Sequence, residues 1–100
     1  MPRRRVPGKT VDEQALELRE GGASYSSIAR RLELHRAADA HGAFLRAVKL
    51  RNEDERSRLI VSEQDRLDTL EKRIRERDAD VPDKLARRLV ALESLRTSLR

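Results

Sequence analysis

An all-α fold is predicted from three observations on this 100-residue chain. Leu, Ala, Arg and Glu dominate it, aromatic residues make up only 2%, and apolar residues recur at spacings of three and four with no long β-branched alternation. The expected layout is an N-terminal three-helix unit followed by an antiparallel two-helix hairpin. Three stretches are expected: a basic arm at residues 1–9, a helical domain at residues 10–51, and the hairpin at residues 52–100, which packs or oligomerises.

Residues 1–9 (MPRRRVPGK) join two prolines and a glycine to four cations with almost nothing to bury, so the arm is expected to order only on a partner. Thr10 with Glu13 three residues later is a capping-box signature, and Val11, Ala15 and Leu18, widened by Leu16, predict a first helix over about residues 11–20. Gly21-Gly22 ends it. Ser24 is the expected N-cap of a second helix whose inward face is Ile28, Ala29 and Leu32. That helix is too short to stand alone.

Ala37, Ala40, Phe44, Ala47 and Val48 predict a third helix from about Arg36 to Arg51, with small residues permitting close approach. Asn52 and Glu55 form a second cap-like pair. They predict a break, although one long bent helix through residues 37–77 has the same periodicity. Ile60, Leu67, Leu70 and Ile74 mark the inner stripe of a fourth helix, with Asp68–Lys72 and Glu71–Arg75 as exposed pairs four residues apart. The DADVPD stretch at residues 78–83 interrupts the pattern, with Pro82 suited to a first turn. Leu85, Leu89, Leu92, Leu95 and Leu99 then line a fifth helix. Each buried aliphatic side chain contributes about 1.5–3 kcal/mol, against about 1.5 kcal/mol of ordering cost per residue. A lone hairpin is therefore expected to need the first three helices, or a second copy closing a four-helix bundle; a homodimer through residues 52–100 is the preferred solution.

Charge is unevenly placed. The net +5 lies entirely in residues 1–51, where 11 Lys and Arg face 6 Asp and Glu; residues 52–100 carry 12 of each. Residues 1–9 and residues 30–51 each sum to +4, and residues 10–29 sum to −3. Two basic segments around an acidic helix are the footprint of a polyanion binder. The absence of Cys excludes a disulfide framework, and two His without HExxH spacing give no credible zinc site, so neither metal nor cofactor is expected. No apolar run approaches the ~18 residues of a membrane span, and no apolar signal core follows the basic N-terminus. A cytoplasmic, unprocessed, nucleoid-associated protein is the expectation. Ser24, Ser26 and Ser27 lack a nucleophile elbow, Gly21-Gly22 lacks the Lys-Ser/Thr of a phosphate loop, and the carboxylates lie in solvated charge runs. No enzyme is expected.

The stretch SYSSIARRLELHRAADAHGAFLRAV, residues 24–48, with Ile28-Ala29, Leu32 and Leu34 in place, resembles the helix-turn-helix of resolvase-like and sigma-like proteins, where the Ala lies at the helix crossing. Glu33 stands where that motif has Gly, and Asp39 and Gly42 stand where it has apolar residues, which implies a longer turn and a recognition helix starting one or two residues late. With EQDRLDTLEKRI and a final Leu/Arg helix behind it, the layout resembles small actinobacterial and actinophage DNA-binding proteins, including terminase small subunits. The preference for Arg, 19 against 4 Lys, agrees with a GC-rich source.

The resemblance implies double-stranded DNA binding in transcription, chromosome organisation or phage DNA handling. Arg36, Asp39, His41 and Arg46 would read bases in the major groove. Arg30, Arg31, Lys49 and Arg51 would contact phosphates, with neutral bonds from Ser24, Tyr25 and Ser26. Arg3, Arg4 and Arg5 would follow the backbone or enter the minor groove. Against these stand plainer roles: Arg30 and Arg31 complementing a helix dipole, Tyr25 anchoring the core, His41 packing, and Asp39 capping or pairing with Arg36. The alternative function is a protein-interaction module docking a polymerase, sigma factor or other protein. RNA binding ranks third, because exposed aromatics for base stacking are nearly absent.

Overall fold

The computed structural model describes residues 9–100, so Arg3, Arg4, Arg5 and most of the expected arm lie outside the described residues. Five α-helices and, among the described residues, no strand are present: α1 (Val11–Glu20), α2 (Tyr25–Arg31), α3 (Ala37–Lys49), α4 (Glu53–Arg77) and α5 (Pro82–Thr97). The described residues divide into two compact units, one ending at Arg56 and the other beginning at Ser57.

In the first unit each helix begins on a polar cap. Thr10 Oγ1 accepts from the Glu13 N–H at 3.1 Å, and Ser24 Oγ accepts from the Ser27 N–H at 3.1 Å, each satisfying a donor that the helix leaves unpaired. At α3 the relation is reversed: the Arg36 N–H donates to Asp39 Oδ2 at 3.1 Å.

The ends of α1 and α2 share one geometry. The Ala23 and Gly22 N–H groups donate to the Leu18 and Arg19 carbonyls at 3.0 Å, with Gly22 left-handed at φ +101°. At the end of α2 the Leu34 N–H donates to the Ala29 carbonyl at 2.8 Å and the Glu33 N–H to that of Arg30 at 3.3 Å. Here the left-handed residue is Glu33, at φ +59°. The position that resembles a motif glycine thus adopts a glycine conformation with a glutamate in it. Five residues, 32–36, connect α2 to α3.

α1 and α2 both pack on α3. Ala15, Leu16, Ile28, Ala29, Leu32, Ala40, Ala43, Phe44, Ala47 and Val48 are buried, and the alanines of α3 let its neighbours come close. Tyr25 joins this core at 8% exposure, edge-on to His41 at 5.0 Å and to Phe44 at 6.0 Å between ring centroids. The Arg19 guanidinium lies 4.0 Å from the Tyr25 ring centroid and donates to the Ala23 carbonyl at 3.1 Å, which keeps a buried cation on α1 well bonded.

α3 and α4 are separate helices. Asn52 Oδ1 accepts from the Glu55 N–H at 2.9 Å and Asn52 Nδ2 donates to Glu55 Oε1 at 2.9 Å, the reciprocal bonding that starts a helix.

In the second unit, Pro82 begins α5 at a position where its missing N–H costs nothing. Arg96 reaches from the last turns of α5 to Asp68 and Glu71 of α4, at 2.6 Å each, while Asp78 just beyond α4 lies 3.3 Å from Arg88 and 4.0 Å from Lys84. The end of α5 therefore meets the middle of α4, and the start of α5 meets the end of α4. Leu67, Ile74 and Leu92 are buried; Ile60, Leu85, Leu89, Leu95 and Leu99 are half-buried.

Three details depart from the sequence expectation. Leu70 is 38% exposed, because α5 approaches on the Glu71 side and leaves Leu70 on the flank. Asp68 pairs with Arg96 rather than with Lys72. Glu63, which no apolar pattern marks, is 1% exposed and accepts from Arg66 at 2.8 Å.

Candidate nucleic-acid interface

The first unit places its cations in two classes. Lys9 and Arg46 are committed: Lys9 pairs with Glu17 at 2.7 Å, and Arg46 grips Asp12 of α1 with two bonds of 3.1 Å. That fork holds Arg46 still more firmly in its charged form, through its hydrogen bonds to Asp12 and the carboxylate charge. Arg30, Arg31 and Lys49 are exposed, and among the described residues none has a carboxylate within ion-pair distance. Arg36 is intermediate, exposed at the start of α3 and 3.5 Å from Asp39.

Arg30 and Arg31 occupy the last turn of α2, where they also complement the helix dipole. Arg36 follows after the connection. Lys49 ends α3, about 18 Å along the axis from Ala37 at ~1.5 Å per residue. Along the chain, Arg30, Arg31 and Arg36 thus precede α3 and Lys49 ends it.

The remaining expected contacts fare differently. Asp39 is half-buried and spends one oxygen on the Arg36 N–H, so it caps α3. His41 is half-buried against Tyr25, and Tyr25 is core. Ser24 is occupied as the α2 cap, Ser26 is exposed, and Arg51 is half-buried with its carbonyl accepting from Arg56 at 3.2 Å. Of the four side chains expected to read bases, only Arg36 is both exposed and loosely held.

One feature escaped the sequence reading. Opposite the buried face, α3 presents Ala38, Gly42, Leu45 and Lys49 at spacings of four, three and four. Its N-terminal half is a low surface of small residues; a Cβ at Gly42 would meet only the Arg46 side chain, at 3.3 Å. The apolar periodicity of α3 contains this signal, since the outer face is the complement of the inner one.

Compared with protein-family models, with curated proteins and with solved structures, the chain matches none.

Proposed function

We propose that the first unit binds double-stranded DNA through the α2–α3 region as a helix-turn-helix, gripping phosphates more than it reads bases. The observation that carries this reading is the set of exposed cations, Arg30 and Arg31 at the end of α2, Arg36 at the start of α3 and Lys49 at its end, while Asp12, Glu17 and Asp39 are each taken by a cation or a cap. Backbone contacts of this kind set affinity and orientation without sequence information. Base reading falls to Arg36, and the small residues Ala38 and Gly42 favour close approach of α3 to a groove floor.

The second unit serves as the helical hairpin of this protein, and a second copy is its expected partner, because three buried apolar side chains, Leu67, Ile74 and Leu92, are few for its length. Sedimentation equilibrium on the full chain reads the oligomeric state.

The test is fluorescence anisotropy of the full chain on a random duplex of about 30 base pairs and on its single strand, beside a variant carrying Arg30→Ala, Arg31→Ala and Lys49→Ala. Each phosphate contact adds about 0.9 to the slope of log affinity against log salt. The variant is expected to lose about 2.7 of that slope on duplex. Failure of the wild-type chain to bind either nucleic acid at low salt would overturn the reading, and the same surface then becomes the docking face for a protein partner.

A further inference from the structure

The second unit is nearly neutral by composition, but folding separates its charges. On one flank of the α4–α5 pair, Asp68 and Glu71 are consumed by Arg96 and Arg75, and Glu93 lies 4.0 Å from Arg96 and 3.8 Å from Arg100. The opposite flank has the reverse character. Arg73 and Arg77 stand four residues apart on α4, on the side turned away from Asp68 and Glu71. Lys84, Arg87 and Arg88 stand three and four apart on α5, turned away from Arg96.

Among the described residues, the ion-paired carboxylate of this flank is Asp78. Asp78, 2% exposed, lies within 4.0 Å of Lys84 and 3.3 Å of Arg88, and its Oδ2 has no hydrogen-bond partner. It orients two cations of the flank from beneath. Arg73, Arg77 and Arg87 are exposed and, among the described residues, pair with no carboxylate. Glu76, Asp80 and Asp83 are exposed within three or four residues of these cations and, among the described residues, form no ion pair with them.

We infer that this flank is a second polyanion-binding surface, contacting the phosphate backbone of duplex nucleic acid through Arg73, Arg77 and Arg87, with Lys84 and Arg88 behind them. Arg73, Arg77 and Arg87 facing their own copies across a two-fold interface would meet like charge, which disfavours a second copy docking here face to face. A lipid surface is disfavoured because the chain has one Tyr, one Phe and no Trp, and Tyr25 and Phe44 lie in the core of the other unit. Planar guanidinium forks match phosphate oxygens, and three of them are uncommitted. The inference rests on the preceding reading for its ligand class only, since none of its residues belongs to the first unit.

The experiment compares three full-length proteins on the same duplex between about 50 mM and 200 mM salt: wild type, the first-unit variant above, and a variant carrying Arg73→Ala, Arg77→Ala and Arg87→Ala. Losing three phosphate contacts lowers the salt slope by about 2.7, so a fourfold rise in salt weakens wild type about 40-fold more than the variant. The charge-keeping triple Arg→Lys variant is expected to retain the slope, and matching far-UV circular dichroism controls for folding. An unchanged slope in the second-unit variant, with a reduced one in the first-unit variant, overturns this inference and leaves the first-unit reading standing. The converse supports it and removes the first-unit reading. Duplex binding by none of the proteins removes both. Binding to phosphatidylserine vesicles that the Ala variant loses, without duplex binding, overturns the choice of nucleic acid.

Discussion

Glu33 and Gly22 occupy equivalent places at two helix ends, and their difference is a direct measure of what a side chain costs in the left-handed region. An L-residue there is disfavoured by about 1–2 kcal/mol, partly offset by the larger entropy that glycine brings to the unfolded chain. Glu33→Gly is therefore expected to stabilise the protein by about 0.5–1 kcal/mol. Gly22→Ala is expected to destabilise it by about 1 kcal/mol, and through the backbone alone, because a Cβ at Gly22 meets nothing within 4 Å. Urea unfolding midpoints of the two variants should move in opposite directions. Two shifts of the same sign would contradict the shared geometry of these ends. The sequence marked Glu33 as an oddity against a motif, but only the φ value tells that the backbone kept the glycine conformation.

At the scale of helices, what was legible was local. Thr10 with Glu13, Ser24, Asn52 with Glu55, and Pro82 each mark a boundary because a cap is made within three residues of itself. The Asn52 cap divides α3 from α4, and Asn52→Ala should cost about 1 kcal/mol. Unfolding by circular dichroism would detect that loss; no change would mean that Glu55 and the flanking turn suffice. What was not legible was distant in sequence. The Arg46–Asp12 fork spans 34 residues and the Arg96–Asp68 pair 28, and no periodicity announces either. The helix-turn-helix resemblance therefore places Arg46 among the base readers, whereas α1 supplies it with a carboxylate. Glu63 is the reverse case: its partner Arg66 is three residues away and could be read from the sequence, but its burial at 1% exposure comes from packing that no apolar pattern marks.

For the whole molecule, charge is arranged unit by unit, and acid is expected to weaken the second unit. Hydrogen bonds from Arg75 first, then Arg96, hold the Glu71 carboxyl below its ordinary value of 4.5. A lowered folded-state value means that this pairing stabilises the second unit above pH 4.5 and is lost as pH falls through the lowered value. Urea midpoints taken from neutral pH down to about pH 3 should fall, and Glu71→Gln should flatten that part of the profile. An identical profile in the variant would assign the acid sensitivity to other carboxylates.

Tyr25 gives the means to tell the unfolding of the two units apart. It is the chain's one tyrosine, there is no tryptophan, and its ring is enclosed by Phe44, His41 and the Arg19 guanidinium in the first unit. Near-ultraviolet absorbance and emission therefore report on the three-helix unit alone, while backbone dichroism sums over both. The protein carries an intrinsic optical label on one half and none on the other, so the order in which its halves melt can be read without attaching a dye.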